Sequence, residues 1–225
     1  MLAQFEKDEA IRVVVLTGEG RAFSSGQDLT EDVPKDASGR IDLGPPLERD
    51  YNPLVRTLSK YPKVTIAALN GAAVGASMNI ALACDIVVAA RTAFLQEGFA
   101  KIALVPDAGG TWILPRLVGQ KRALALMLSA EPISAEDAER MGLVYKVFDD
   151  RSFGDDVAAF AATLAKGPGL SFRMTKEAIA ASASNDLDTQ LALEAKLQRQ
   201  AGFSRDFIEG LTAFREKRDP QFEGR

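Results

Sequence analysis

The chain has 225 residues, of which 47% are hydrophobic and 26% charged, and its formal net charge is −4 at pH 7. This composition is typical of a soluble globular protein, and the acidic balance gives no electrostatic reason to expect nucleic acid or an anionic membrane as partner. A single cysteine, Cys84, and the absence of histidine exclude an internal disulfide, a serine–histidine nucleophile and the usual zinc patterns. If the protein transfers protons near neutral pH, we therefore expect a carboxylate to carry them.

The first half of the sequence alternates between apolar runs and helical patterns after a polar, helical start. Nearly continuous β-branched and apolar runs predict buried strands at residues 11–17, 64–69 and 86–90. Apolar spacing predicts a helix over residues 48–60 and a shorter one over 75–83. The polar segment 30–46, rich in glycine and proline, is typical of a mobile surface loop. This alternation favours an α/β fold with mainly parallel strands.

The second half of the sequence is dominated by helical patterns. Predicted helices cover residues 120–129, 134–141, 155–166, 170–182 and 186–203, with a short strand at 143–148. Ser134, followed by Glu136 and Asp137, resembles a helix N-cap with acids in the first turn. We therefore predict a core domain over residues 1–150 and a helical C-terminal region over 151–225. The chain shows neither a signal-peptide pattern nor a transmembrane run, so we expect a cytoplasmic location.

Three glycine-containing segments are candidates for binding or catalysis. Residues 18–29, GEGRAFSSGQDL, can present backbone N–H groups to a ligand or form an ordinary turn. Residues 70–79, NGAAVGASMN, open a helix whose start favours negative charge, but tight strand–helix packing explains them equally well. They match neither the phosphate-binding lysine loop nor the dinucleotide fingerprint. Residues 106–112, PDAGGTW, place Asp107 beside two glycines, where an isolated Asp would be interpreted as a helix cap.

Taken together, these segments resemble the crotonase (enoyl-CoA hydratase/isomerase) superfamily over nearly the whole chain. The matching segments, in order and spacing, are residues 13–18, 22–29, 70–76, 83–86, 109–116 and 207–218. The resemblance implies a crotonase-like ββα spiral core with a helical C-terminal trimerisation region. It also implies a homotrimer or dimer of trimers and an acyl-CoA thioester substrate. No separate cofactor is expected, because coenzyme A is part of the substrate.

The resemblance also implies which residues form the site. In the family two backbone N–H groups hold the thioester oxygen, and by position they are those of Gln27 and Ala76. Such donors stabilise the enolate that forms when a proton leaves the carbon next to a thioester. The C-terminal Phe and Lys of the family often reach a neighbour's ligand. The expected substrate-binding residues are Ala22, Ser24, Gly26, Asp28, Leu29, Gly75, Asn79, Phe99, Trp112, Phe214 and Lys217.

The same comparison bears on the type of reaction. Hydratases of the family use two glutamates, and those positions hold Asn79 and Phe99 here, which disfavours water addition by the usual route. Glu97 lies two residues before Phe99, and we expect it to be a solvated surface acid. Asp107 is then the expected proton carrier, because one base suffices to move a proton between two carbons. Trp112 is expected either in the apolar wall of the pocket, with Phe99, or in the core.

Several features resemble one isomerase branch of the family, and other functions stay open. The segments GQDL and PDAGGTW, with Asn79, resemble the ring-1,2-epoxyphenylacetyl-CoA isomerases, and also the Δ3,Δ2-enoyl-CoA isomerases. The alternatives are an enoyl-CoA hydratase, a dehalogenase or hydrolase with Asp107 as nucleophile, and a non-catalytic acyl-CoA-binding or structural subunit. Family members usually have two strands and a helix before residue 13, and this chain starts within that helix. Either the start codon was chosen too late or the protein is naturally short, and a naturally short chain would leave a sheet edge and apolar surface uncovered.

Overall fold

The computed structural model describes residues 1–28 and 35–224, which form two compact units. One unit comprises Met1–Val14, Lys60–Val64 and the described part of Ala159–Arg225. The other comprises the described parts of Val15–Ser59 and Thr65–Ala158. The predicted domains, residues 1–150 and 151–225, stay a prediction. No helix within the described ranges has both the length and the apolar character needed to cross a membrane.

The strands of the described chain form two four-stranded sheets. The first sheet has the order β1, β3, β5, β8, and the second has the order β2, β4, β6, β7. Parallel pairing joins β3 to β5, β5 to β8, β2 to β4 and β4 to β6, whereas β7 runs antiparallel to β6. The predicted α/β class with mainly parallel strands is confirmed. The strands are β1 Val13–Thr17, β2 Ala22–Ser24, β3 Val64–Leu69, β4 Ala72–Val74, β5 Ile86–Ala90, β6 Phe94–Gln96, β7 Ile133–Ser134 and β8 Lys146–Phe148.

Helices connect and follow these strands. A π-helical turn, Leu47–Tyr51, joins α2 to α3, and a 3-10 turn, Phe99–Ile102, precedes α5. Ser134 caps α7 as predicted, because its hydroxyl oxygen accepts a hydrogen bond from the N–H of Asp137. The helices are α1 Leu2–Lys7, α2 Gly44–Pro46, α3 Asn52–Ser59, α4 Ala76–Leu82, α5 Gly110–Val118, α6 Gln120–Ser129, α7 Ala135–Met141, α8 Phe153–Ala165, α9 Gly169–Ser182, α10 Leu187–Gly202 and α11 Arg205–Glu216.

The central strand β3 is buried at every residue, as its continuous apolar run predicts. The polar groups of its buried residue Thr65 form hydrogen bonds with Asp85. The Thr65 N–H and hydroxyl both donate to Asp85 Oδ2, at 2.8 and 2.9 Å, and the Asp85 N–H donates to Thr65 Oγ1 at 2.9 Å. This pair of residues fixes the start of β5 against β3 and leaves no buried donor of Thr65 unmatched.

In the unit that contains the C-terminal helices, two side chains hold chain segments together. The Arg12 guanidinium donates to the carbonyl oxygens of Gly167 and Phe222. Asp206, which is buried, accepts hydrogen bonds from the N–H groups of Glu223 and Gly224. The two hydrogen bonds of Asp206 attach Glu223 and Gly224 to α11.

The structure differs from the sequence-based prediction in short elements. Strands β2, β4, β6 and β7 have two or three residues each, too few to show a periodic pattern. The predicted loop 30–46 is also too long, because α2 starts at Gly44, where two prolines suit a first helical turn. Residues 30–34 of that loop lie outside the described residues.

Candidate active site

The candidate site lies where three neighbouring parallel strands end. Strand β4 pairs with β2 on one side and with β6 on the other, with Ala73 opposite Ser24 and Val74 opposite Gln96. Ligands of α/β proteins characteristically bind at the carboxyl ends of parallel strands. The segment with Gln27 follows β2, Gly75 and Ala76 follow β4, and Glu97 follows β6. Parallel pairing therefore brings these three segments to one edge of the second sheet.

Close contacts hold the Gln27 segment against the start of α4. The hydroxyl of Ser77 donates to the carbonyl oxygen of Ser24 at 2.9 Å and accepts from the N–H of Val74 at 3.0 Å. Gly26 has φ +98°, and a Cβ there would lie 3.1 Å from the carbonyl oxygen of Val74. Only glycine fits this close approach without strain. The predicted residues Ser24 and Gly26 thus hold the strand β2 segment beside α4.

The helix α4 starts in an unusual backbone conformation. Gly75 is its N-cap, with φ +61° and ψ −129°, and the Gly75 N–H donates to the carbonyl oxygen of Gln96 at 2.8 Å. Ala76 is the first helical residue, so its N–H has no carbonyl within the helix to bond. A conformation favoured for glycine thus places the Ala76 N–H at the strand edge, next to β6.

Three polar residues form a buried cluster beside these segments. Asn79 and Glu97 are 0% and 1% exposed, and Asp107 is half-buried. Asn79 Nδ2 donates to Glu97 Oε2 at 3.4 Å and to the backbone carbonyl oxygen of Asp107 at 3.0 Å. Three oxygens in the cluster, Asn79 Oδ1, Glu97 Oε1 and Asp107 Oδ1, are buried without a hydrogen-bond partner. Unmatched buried polar atoms are uncommon in folded proteins, and each calls for an explanation such as a catalytic role, an ordered water or an ion.

The glycine pair after Asp107 allows α5 to start against Asn79. Ala108 and Gly109 both have positive φ, 46° and 83°, and the Gly110 N–H donates to the Asp107 carbonyl oxygen at 2.9 Å. A Cβ on Gly110 would lie 2.6 Å from Asn79 Cγ, which no real side chain tolerates. The helix-cap interpretation of Asp107 is wrong: Gly109 is the N-cap, and no side chain caps α5. The Asp107 carboxyl group is therefore not used to cap α5.

Burial alters the acidity of both carboxyl groups. It raises the pKa of Asp107 above its usual range. It raises the pKa of Glu97 to about 7, and the nearby Asp107 carboxylate adds to this increase while the hydrogen bond from Asn79 opposes it. The expectation that Glu97 is a solvated surface acid is wrong, because the turn after β6 directs its side chain inward, onto Asn79. Strand β6 has only three residues, so the sequence carried no periodic signal of this direction.

Apolar residues line the other side of the cluster. Phe99 is buried and packs with Ala76 and Ala108, and its place in the apolar wall of the pocket stays a prediction. Trp112, by contrast, is 56% exposed, and the Arg116 guanidinium lies 3.9 Å from its ring centroid. A core position for Trp112 is therefore wrong, and its place in the pocket wall stays a prediction.

The remaining predicted site residues are less informative. Ala22 opens β2, and Asp28 is exposed at the end of the described segment, whereas Leu29 lies outside the described residues. Phe214 and Lys217 belong to the other compact unit, where Phe214 is 83% exposed and Lys217 ends α11 with φ +56°. Their contact with a ligand stays a prediction. In the described chain, no group of three or more Cys, Asp and Glu side chains is arranged to hold a metal ion.

Comparisons with known proteins match the chain over almost its full length. The profile of the enoyl-CoA hydratase/isomerase family matches residues 1–225. The chain is 46% identical over 224 residues to 1,2-epoxyphenylacetyl-CoA isomerase of Escherichia coli K12, covering 100% of this chain and 86% of the relative. It is 49% identical over 214 residues to a Rhodobacter capsulatus protein named "Probable enoyl-CoA hydratase", covering 95% and 82%. The crystal structure of enoyl-CoA hydratase from Bacillus anthracis superposes with a TM-score of 0.89, at 33% identity, covering 100% of this chain and 86% of that one.

Proposed function

The chain belongs to the enoyl-CoA hydratase/isomerase family and has its crotonase fold, and we propose that it is an acyl-CoA isomerase with Asp107 as proton carrier. The proposed reactions are conversion of ring-1,2-epoxyphenylacetyl-CoA to oxepin-CoA and migration of a 3-enoyl-CoA double bond to position 2. The observation that carries the proposal is the buried, unpartnered Asp107 Oδ1. By the resemblance to the family, Asn79 and Phe99 stand where hydratases have their two glutamates. The relative from Escherichia coli supports the isomerase class.

The proposed mechanism assigns separate tasks to backbone and side chain. The N–H groups of Gln27 and Ala76 bind the thioester oxygen. The Asp107 carboxylate removes a proton from C2 of 3-enoyl-CoA, which produces an enolate whose negative charge those N–H groups stabilise. Asp107 then returns a proton to C4, and the double bond has moved without net gain or loss of atoms. Loss of one such donor typically raises the barrier by about 3 kcal/mol.

The experiment that tests the proposal is the substitution Asp107→Asn. It retains the size of the side chain but cannot accept a proton, so we expect turnover to fall by roughly 10²- to 10⁴-fold while acyl-CoA binding persists. Asp188→Asn, on the exposed first turn of α10, is the matched control and should leave turnover unchanged. Full activity of the Asp107→Asn protein would contradict the proposed role of Asp107.

A hydratase is the second candidate function. Two observations favour it: the 49% identical relative carries that name, and Glu97 supplies a second buried acid near Asp107. A faster hydration of crotonyl-CoA than isomerisation of 3-enoyl-CoA by the same preparation would support the hydratase. The same substrate panel, run in deuterated water, tests the remaining alternatives. An ester formed on Asp107 would indicate a dehalogenase or hydrolase, and binding without proton exchange would indicate a non-catalytic subunit.

The assembly and location of the protein are proposals as well. We expect a homotrimer or a dimer of trimers in solution, to be measured by sedimentation equilibrium. We also expect a cytoplasmic location and no cofactor beyond the coenzyme A of the substrate.

A further inference from the structure

Glu97 has no task in the mechanism proposed above, although it is the most deeply buried acid of the site. We infer that Glu97 is a positioning residue that keeps a proton beside the Asp107 carboxylate and fixes the Asn79 amide, so that the two carboxyl groups carry a single negative charge during turnover. This inference rests on the proposed function of Asp107. It assigns Glu97 an effect on the reaction through its neighbours.

The hydrogen bonds of Asn79 give the first argument. An amide nitrogen has two hydrogens, and here they go to Glu97 Oε2 and to the Asp107 backbone carbonyl. The amide therefore connects Glu97 directly to the backbone of the proposed proton carrier. Because both donors are engaged, the orientation of Asn79 depends on an oxygen being present at residue 97.

The unmatched oxygens give the second argument. Asn79 Oδ1, Glu97 Oε1 and Asp107 Oδ1 are all acceptors, and none has a partner. Two ionised carboxylates would add no donor to the cluster, whereas one protonated carboxyl adds an O–H. Burying two like charges together is also far more costly than burying one. The proton belongs on Glu97, which is fully buried, whereas Asp107 is half-buried.

The charged groups around Glu97 do not change this assignment. Its pKa of about 7 reflects burial first, with Asp107 as the charged neighbour that acts on it. Helix α4 and strand β4, which flank β6, contain no ionisable side chain. Asp137 is half-buried and bonds to Arg140. The π-helical turn and α3 also pack against the cluster that contains Phe99. The other charged residues on the elements packed around β6 and the 3-10 turn are exposed: Glu48, Arg49, Asp50, Arg56, Lys101, Arg116, Lys121, Arg122, Glu136, Glu139 and Arg140.

The consequence is a defined pH dependence. While Glu97 is neutral, the negative charge of the site sits on Asp107, where proton removal needs it. When Glu97 ionises, a second negative charge lies beside the site and destabilises the enolate, whose own negative charge develops there. We therefore expect kcat/KM to fall by roughly 10-fold per pH unit above about pH 7.

The test compares pH profiles of kcat/KM for the wild type, Glu97→Gln and the exposed control Glu131→Gln. Glutamine retains an oxygen acceptor for Asn79 and imitates the neutral acid, so activity near pH 6 should stay within about 3-fold of wild type. The alkaline decrease should disappear in Glu97→Gln and persist in the control. An unchanged alkaline decrease in Glu97→Gln would overturn the inference, since a purely structural role would not remove it.

A second measurement needs no Glu97 variant and covers the case in which Glu97→Gln does not fold. Infrared spectroscopy of the wild type should show one buried protonated carboxylic acid at pH 6 that is lost as the pH rises. Absence of that band at pH 6 would overturn the inference. The two proposals fail separately: full turnover in Asp107→Asn rejects the proposed function, and with it any role of Glu97 through that base. Loss of turnover there, with an unchanged alkaline decrease in Glu97→Gln, rejects the role of Glu97 alone.

Discussion

The pH dependence of folding stability should carry a separable contribution from Glu97. Burial raises the pKa of its carboxyl from an ordinary 4.5 to about 7. Between these two values the folded protein binds a proton that the unfolded chain has released. The resulting stability is complete below about pH 4.5 and is lost as the pH rises through 7. Replacing Glu97 with glutamine removes the titrating group, so this part of the pH dependence should vanish.

The size of the effect follows from the two pKa values. A shift of one pKa unit corresponds to about 1.36 kcal/mol of unfolding free energy. Between about pH 5 and about pH 8, proton linkage accounts for roughly 2.5 kcal/mol of the stabilisation that the whole pKa shift provides. The wild type should therefore lose about 2.5 kcal/mol more of its unfolding free energy than Glu97→Gln over that interval. Every carboxylate that titrates independently of Glu97 cancels in this difference, because both proteins contain it.

Urea unfolding, followed by far-ultraviolet circular dichroism at about pH 5 and about pH 8, measures the difference. Glu131→Gln should show the same pH dependence as the wild type, since Glu131 is exposed. A wild type and a Glu97→Gln protein whose stabilities change in parallel with pH would refute the reasoning. That result would mean that Glu97 has an ordinary pKa and that its burial is compensated by other groups.

Two further predictions concern packing around the same residues. Gly110→Ala should destabilise the protein by about 1–3 kcal/mol in urea unfolding, because its Cβ overlaps Asn79, and should lower turnover. Gly210 lies in the middle of α11, where a Cβ would make only ordinary contacts with Phe222. Gly210→Ala should therefore raise the free energy of unfolding by about 0.5–1 kcal/mol. Equal changes in stability for Gly110→Ala and Gly210→Ala would contradict this interpretation. Asp85→Ala should cost about 1–3 kcal/mol because it leaves the buried donors of Thr65 unmatched, whereas Asp85→Asn should cost less. Thermal denaturation of both Asp85 variants checks the order.

The sequence predicted the long elements and the order of the site segments well. The continuous apolar run of β3 and the alternation of strands with helices suffice for an α/β fold, because burial on both faces leaves a clear pattern. The positions of Gly75, Ala76 and Asp107 followed from the resemblance to the family. These residues lie at the ends of strands and just before or at the start of helices. Their short, regular distances along the sequence from the motif segments made their positions predictable.

The environment of each acid could not be predicted from the sequence. Strand β6 has three residues, so its end, and therefore the direction of the Glu97 side chain, left no periodic signal. Asp107 looked like a helix cap because capping is judged from local sequence. The actual cap, Gly109, depends on two consecutive residues with positive φ and on the close approach of Gly110 to Asn79. Such features depend on contacts between residues far apart in the chain.

The three strand ends together explain how one fold hosts related reactions. Two strand ends supply backbone groups, the Gln27 segment and the start of α4, whose geometry depends on glycines rather than on side-chain chemistry. The third end and the turn before α5 supply the acids Glu97 and Asp107. Here Asn79 and Phe99 stand in the two family positions, and Glu97 and Asp107 provide carboxyl groups from other positions. We therefore propose that the number and protonation of these carboxyl groups, rather than the fold, determine whether the enolate is reprotonated or water is added.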